Sequence, residues 1–273
     1  MSHRPALHVA TLSGWYRFER SDSGLKETAR ALTYWSLSCL AVDPERPQIL
    51  YAGTDHSGLF YSHDSGAHWQ RANPGTPHLN LFSLLALPGS LLVGTRPAAV
   101  YRGVPGKDWE ELEGVRQCSA GGVFPPNPEL APRIRALSED PRLPSRLYAG
   151  VEVGGLLVSD DGGNSWQAAN EGLTDPDIHQ ICPSGHNPEL VITACGEGVF
   201  CSNDLARHWK EVTPKGARTY GTSIAESTNG TLYVGISVGR PNTWLGTERA
   251  NSAILTSRDG GEHWDVAVEG LHG

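Results

Sequence analysis

Six short apolar segments recur along the chain, and this repeat limits the possible fold more than any other feature of the sequence. They are residues 7–11 (LHVAT), 50–54 (LYAGT), 91–95 (LLVGT), 147–151 (LYAGV), 190–194 (LVITA) and 232–236 (LYVGI). Such segments are typical of buried β-strands. A second β-prone segment follows each one, at residues 15–18, 58–61, 99–101, 155–158, 198–201 and 253–256. The chain is therefore predicted to fold from a series of β-hairpins.

Tryptophans follow most of these hairpins and set the length of the repeat. They are Trp69, Trp109, Trp166, Trp209 and Trp264, with spacings of 40, 57, 43 and 55 residues. A unit of about 40–45 residues matches a four-stranded propeller blade. We label the strands of each blade A to D from the axis outward, so that the repeated Leu-led segment is strand B. Apolar runs at residues 36–42, 81–86 and 134–137 are the predicted A strands.

The fold class is therefore predicted to be all-β, a β-propeller of about six four-stranded blades in a single domain over residues 1–273. The first repeat has no A strand of its own, so the first blade is expected to lack its inner strand. Either ring closure borrows a strand, or the natural chain continues past Gly273.

Composition narrows the classes of partner. The net charge is −8 and no run of lysine or arginine occurs, which argues against nucleic acid and against an anionic membrane surface. The first residues are not followed by an apolar signal-peptide segment, and the five cysteines are an odd number without a CxxC pair. We expect reduced thiols and a cytoplasmic protein.

The predicted C–D turns share a Ser-x-Asp-x-Gly-x-x-Trp pattern. It occurs in full at residues 62–69, 159–166 and 257–264, and with Ala206 in place of glycine at residues 202–209. These turns resemble the Asp boxes, or BNR repeats, of sialidase-like propellers, and the likeness extends over essentially the whole chain. We expect a structural role for Asp64, Asp161, Asp204 and Asp259, because a short carboxylate can accept backbone N–H groups and hold a tight turn.

The resemblance to sialidases implies an arginine trio and an Arg-Ile-Pro near the N-terminus. This chain has Arg133-Ile134-Arg135 instead, in mid-chain and without the proline. Sialidase activity is therefore not expected.

Ligands are expected at the opposite end of the blades, which we call the loop face, where B–C and D–A connections emerge. The two repeats with tryptophan spacings of 57 and 55 residues are longer than the others because of such loops, at residues 116–132 and 239–252. Glu152, His179 and Tyr220 are the candidate catalytic residues, predicted to share one axial pocket; partial burial is expected to raise the pKa of Glu152. The candidate ligand-binding residues are Trp15, Trp35, His56, Arg96, Arg135, Glu197, Arg240 and Trp244.

Two classes of function remain open. The first is a propeller that binds a polar small molecule, glycan or peptide in that pocket. The alternative is a glycoside hydrolase or lyase that uses carboxylates and histidines of the loop face. A metal held by His56, His78 and His179 is a weaker option, and neither a metal nor another cofactor is expected.

Overall fold

The protein is described by a computed structural model that covers residues 6–72, 76–118, 131–216, 218–244 and 249–267. It contains six antiparallel sheets of a β-propeller, so the predicted fold class is confirmed. The chain contacts divide into two compact units, Met1–Leu112 and Glu113–Gly273. The single domain over residues 1–273 stays a prediction.

The N-terminal unit contains three sheets, each formed by consecutive strands. The first has three strands, in agreement with a first blade that lacks a strand: β1 (Ala6–Thr11), β2 (Gly14–Ser21) and β3 (Gly24–Ala31). The second is β4 (Leu37–Val42), β5 (Leu50–Thr54), β6 (Gly58–Ser62) and β7 (Gln70–Ala72). The third is β8 (Leu81–Leu87), β9 (Ser90–Thr95), β10 (Val100–Gly103) and β11 (Glu110–Glu111).

The C-terminal unit begins with a short helix, α1 (Gly114–Cys118), and contains three four-stranded sheets. The fourth sheet is β12 (Arg133–Asp140), β13 (Leu143–Glu152), β14 (Gly155–Ser159) and β15 (Gln167–Ala168). The fifth is β16 (Ile178–Pro183), β17 (Val191–Cys195), β18 (Gly198–Ser202) and β19 (Lys210–Glu211). The sixth is β20 (Arg218–Glu226), β21 (Leu232–Val238), β22 (Ala253–Ser257) and β23 (Asp265–Ala267). Across the described ranges, no helix is long and apolar enough to cross a membrane.

The core of the C-terminal unit lies between successive sheets. Every residue of β14, β17 and β18 is buried, which explains why their sequences are continuously apolar rather than alternating. The β16 strand packs on β12 and β13, and β20 packs on β16 and β17. The A strands of the three sheets are therefore neighbours, although about 40 residues separate them in sequence.

The Ser-x-Asp turns, at residues 62–69, 159–166, 202–209 and 257–264, repeat one hydrogen-bond network. In each, the serine hydroxyl accepts the backbone N–H four residues later at 2.7–2.9 Å and donates to the aspartate at 2.7–2.8 Å. The aspartate then accepts the backbone N–H of its own fourth neighbour at 2.8–3.0 Å. These contacts support the structural role expected for the four aspartates.

The substitution of glycine by Ala206 does not change this geometry. Gly66, Gly163 and Gly261 have φ of 89°, 96° and 93°, and Ala206 has φ of 66° at the same position. The serine and aspartate bonds hold alanine in a left-handed conformation that L-residues rarely adopt. The side-chain network, rather than glycine, is therefore the common element of the four turns.

The tryptophan of one of these turns, Trp209, bonds to the preceding sheet. Its indole Nε1 donates to Ala169 O, next to β15 of the fourth sheet, at 2.8 Å. Trp166 instead donates to Gly163 O within its own turn at 3.0 Å.

The five cysteines are free thiols. Burial raises the pKa of Cys39 and Cys195 to about 12 and that of Cys182 to about 11, so these groups are protonated and unreactive at neutral pH. Their role is in packing.

Replacement of Asp161 by alanine removes three acceptor contacts from one turn. We expect Asp161→Ala to lower the melting temperature by about 2–4 °C, the effect of roughly one turn-stabilising interaction in a chain of this size. Asp22→Ala is the matched control, because Asp22 is an exposed aspartate in the turn between β2 and β3. Equal melting temperatures for Asp161→Ala and the wild type would contradict the structural role.

The same network predicts a pH dependence. Bonds from the backbone and side chain of His68 hold the pKa of Asp64 at about 2, and bonds from Ser165 do the same for Asp161, against an ordinary value of 3.8. A lowered folded-state pKa contributes stability above the unfolded pKa that is lost as pH falls through the folded pKa. The difference in melting temperature between wild type and Asp161→Ala should therefore persist from pH 7 to pH 4 and shrink towards pH 2. A difference that is constant down to pH 2 would show that the carboxylate charge is not involved.

Candidate functional site

The candidate site lies at the loop face of the C-terminal unit, at the end of the sheets opposite the Ser-x-Asp turns. The register places Arg133 opposite Glu152, Ile178 opposite Cys195 and Arg218 opposite Val238. The first residues of three A strands and the last residues of three B strands therefore meet at this end. Charged and aromatic side chains from all three sheets lie there.

Glu152 forms the first cluster of this face with two arginines of the neighbouring strand. Arg133 makes a two-point contact: Nη2 donates to Oε1 at 2.7 Å and Nε donates to Oε2. Arg135 Nη1 donates to Oε2 at 3.0 Å. The three side chains are a fifth to a third exposed, so the ion pair is partly shielded from water.

The prediction that burial raises the pKa of Glu152 is wrong. Burial acts in that direction, but the hydrogen bonds and charges of Arg133 and Arg135 outweigh it and hold the pKa below the ordinary value. Glu152 is therefore an ionised hydrogen-bond acceptor at neutral pH. It is not a protonated general acid.

His179 and Tyr220 form the second cluster and are in direct contact. Their ring centroids are 4.8 Å apart, and Tyr220 Oη lies 3.3 Å from His179 Nε2. The other ring nitrogen, Nδ1, lies 2.6 Å from Gly221 O. A carbonyl can only accept, so Nδ1 carries a proton and donates to Gly221 O, while Nε2 lies within hydrogen-bonding distance of the Tyr220 hydroxyl.

Asp175 and Asp177 form the third cluster with Arg240. Arg240 Nη1 donates to Asp177 Oδ2 at 2.7 Å, and Nη2 donates to Asp175 Oδ2 at 3.0 Å. Burial would raise the pKa of Asp177, but the charge and hydrogen bond of Arg240 help to hold it below the ordinary value. Gly196 makes room for this contact, since a Cβ there would overlap with Asp175 Oδ2 and lie 2.8 Å from Arg240 Nη2.

Arg240 and Trp244 belong to the insertion predicted at residues 239–252. Residues Pro241–Trp244 form a 3-10 turn, and residues 245–248 lie outside the described ranges. The Trp244 indole Nε1 donates to Val238 O at 2.7 Å, and its ring meets Tyr220 edge-on with centroids 6.0 Å apart. Trp244 is half-buried and so keeps part of its surface in solvent.

Tyr220 connects the three clusters. Burial raises the pKa of its phenol, and the charges of Arg135, Asp177, Glu152 and Arg240 all act on it. His179 and Tyr220 are in direct contact, whereas Glu152 acts on Tyr220 through its charge. One pocket shared by the three residues stays a prediction.

The predicted ligand-binding role of Trp15 is wrong. Trp15 has no exposed surface; it stacks on His8 at 5.6 Å, and a Cβ at Gly66, in a Ser-x-Asp turn, would overlap with its ring. The first repeat is the most irregular, and its tryptophan serves the core of the N-terminal unit.

The remaining predicted residues have surroundings of their own. In the N-terminal unit, Trp35 is half-buried and packs on Phe60 at 5.3 Å, His56 is exposed in the turn between β5 and β6, and the Arg96 backbone N–H donates to Asn80 O. In the C-terminal unit, Glu197 is exposed in the turn between β17 and β18. The predicted loop at residues 116–132 contains part of α1, and its residues 119–130 lie outside the described ranges.

Sequence reasoning left Asp175 and Asp177 out of the site. A signal was present, because two aspartates directly precede the inner strand that carries His179. Their partner Arg240 is 63 and 65 residues away in sequence, so the ion pairs themselves could not be inferred.

Comparison with known proteins gives distant relatives among carbohydrate-active propellers. The chain is 26% identical to an oligoxyloglucan-reducing end-specific xyloglucanase of Emericella nidulans, over 82% of this chain and 33% of that protein. It is also similar to the structure of an ancestral GH74 enzyme, with a TM-score of 0.69, 19% identity, and coverage of 87% of this chain and 32% of that chain.

The structure of YCF48 bound to D1 peptide is also similar, with a TM-score of 0.64, 16% identity, and coverage of 97% of this chain and 78% of that chain. No family model matches the sequence. The chain spans about a third of the length of the xyloglucanase that it matches. The relatives and structural neighbours are thus GH74 xyloglucanase-like and YCF48-like propellers, and at these identities the structural likeness shows the fold.

Proposed function

We propose that this chain is a carbohydrate-binding propeller that holds a neutral, hydroxyl-rich ligand at the loop face of its C-terminal unit. The observation that carries the proposal is the convergence on Tyr220. It contacts His179 and Trp244, and the charges of Glu152, Asp177 and Arg240 act on it. Side chains of three sheets therefore offer hydrogen-bond donors and acceptors within one small region, as a polar ligand requires.

The charge balance favours a neutral ligand. Arg133 and Arg135 are paired with Glu152, and Arg240 is paired with Asp175 and Asp177, so three guanidinium groups face three carboxylates. A strongly anionic or cationic ligand would have to break these partly shielded pairs, which is costly. Hydroxyl groups can bond to the remaining donors and acceptors of the paired groups without separating them.

The half-buried ring of Trp244 favours a sugar over a small ion. Its indole nitrogen is already bonded to Val238 O, which leaves the ring surface for apolar contact. Sugar rings present C–H groups on one face and hydroxyls at the edge, and an aromatic surface beside polar groups matches both. The xyloglucanase relative supports a glycan as the ligand class, whereas the YCF48 structure with D1 peptide keeps a peptide as the competing class.

Hydrolysis by paired carboxylates is the alternative, and the electrostatics of the site do not favour it. Such a mechanism needs one carboxyl group with a raised pKa to act as general acid. The pKa values of Glu152 and Asp177 are both lowered. Glu139 has a raised pKa, through burial and the charge of Asp140, but it lies towards the other end of β12. Binding without turnover is the function that this arrangement supports best.

Loss of the Trp244 ring tests the binding proposal. We expect a xyloglucan oligosaccharide to bind the wild type in isothermal titration calorimetry and Trp244→Ala to bind it about tenfold more weakly, which corresponds to roughly 1.4 kcal/mol. Asp161→Ala, at the opposite end of the sheets, is the control and should keep the wild-type affinity. The proposal is wrong if neutral oligosaccharides do not bind, or if Trp244→Ala binds as tightly as wild type.

The hydrolase alternative has its own assay. Incubation of the wild type with the same oligosaccharide should release no new reducing ends. Turnover that disappears in Glu152→Gln would replace the binding proposal with the enzymatic one.

A further inference from the structure

Asp177 carries an unusual oxygen that the ion pair with Arg240 does not explain. Asp177 is almost completely buried, and Oδ1 has no hydrogen-bond partner in the described part of the chain. It lies 3.4 Å from His179 Nε2. A buried carboxylate oxygen without a donor is costly.

The tautomer of His179 explains why this oxygen lacks a partner. Since Nδ1–H is bonded to Gly221 O, Nε2 of the neutral ring has a lone pair and no hydrogen to donate. It therefore accepts from Tyr220 Oη at 3.3 Å and faces Asp177 Oδ1 without bonding to it. One proton added at Nε2 changes both contacts of this nitrogen. The ring can then donate to Asp177 Oδ1, and it can no longer accept a hydrogen bond from Tyr220.

We propose that His179 is a protonation switch that changes the partner of the Tyr220 hydroxyl. In the neutral state, Tyr220 donates to His179. In the protonated state, His179 Nε2–H donates to Asp177 Oδ1, and the Tyr220 hydroxyl is released to donate to an acceptor oxygen of the ligand. The consequence for the ligand rests on the proposed function, whereas the switch itself does not.

The charged groups around His179 favour its protonated state. Asp175 and Asp177, on its own segment, carry two negative charges, and Arg240 from the insertion supplies one positive charge. Tyr220 from β20 is uncharged at neutral pH, as is Cys195 from β17, whose pKa burial raises to about 12. The charges of Glu152 from β13 and Arg135 from β12 act on Tyr220, and Arg133 from β12 is paired with Glu152. A proton on His179 therefore cancels the excess negative charge of the aspartates.

The switch is tested on the full chain without ligand. Imidazole ¹⁵N and tyrosine ¹³Cζ resonances are followed by NMR from pH 8 to pH 5, the range in which histidines change charge. We expect His179 Nδ1 to stay protonated, Nε2 to gain a proton, and the Tyr220 resonance to move with the same midpoint. A titration at Nδ1, or a Tyr220 resonance that stays still while His179 titrates, overturns the proposal.

Asp177→Asn tests the acceptor. The amide keeps the size of the carboxylate but not its charge, and the His179 midpoint should fall by about one pH unit or more. Asp175→Asn is the matched control, because it removes a carboxylate from Arg240 without touching Nε2 and should give a smaller shift. An unchanged midpoint in a folded Asp177→Asn overturns the role of Asp177. Should this variant fail to fold, the wild-type resonances still decide the proposal.

Ligand binding is then measured separately. Affinity for the xyloglucan oligosaccharide should rise about three- to tenfold from pH 8 to pH 5, the effect of one additional hydrogen bond. His179→Gln should lose this pH dependence, while His186→Gln, which removes an exposed histidine after the other end of β16, should keep it. If the His179 and Tyr220 resonances titrate together but no glycan binds, the switch is supported and the proposed ligand class is wrong. Binding that is independent of pH in the wild type would reject the release of Tyr220.

Discussion

The bond from a backbone N–H to the serine hydroxyl in each Ser-x-Asp turn is the interaction on which the rest of the structure depends. It fixes the tight connection between the third and fourth strands in four sheets at distances of 2.7–2.9 Å. Because side chains of the turn itself make this network, the turn does not depend on the sequence of other loops. The opposite ends of the same sheets are therefore free to carry loops of different length and charge, as is common where scaffold and site are separated.

The loop face of the C-terminal unit carries a set of charged and aromatic side chains that the turns do not constrain. Three carboxylates and three guanidinium groups form two sets of ion pairs there, and an aromatic ring of the insertion packs against Tyr220. Each ionised carboxylate has a cationic neighbour, which keeps the pKa values of Glu152 and Asp177 low despite burial. The result is a polar, charge-balanced surface that is suited to bonding with hydroxyl groups and poorly suited to donating a proton from a carboxyl group.

The sequence alone predicts the strands and turns, but it does not predict the contacts of the candidate site. The Leu-led segments predict the buried B strands because blade strands bury both faces, and the Ser-x-Asp pattern predicts its turns because its contacts are local. The sequence does not predict the lowered pKa of Glu152, although Arg133 lies directly opposite it in the hairpin register. Trp15 was misplaced because the first repeat departs from the others, and the pairs of Arg240 with Asp175 and Asp177 depend on packing between sheets.

Mapping of the binding surface tests the central claim most directly. In backbone and side-chain NMR spectra recorded as a xyloglucan oligosaccharide is added, the Trp244 indole and the residues around Tyr220 and His179 should show the largest shifts. A groove at the Ser-x-Asp end, lined by Lys210, Glu262 and Trp264, offers a competing location. Shifts that cluster there, with Trp244 and Tyr220 unchanged, would contradict the assignment of the loop face as the binding site.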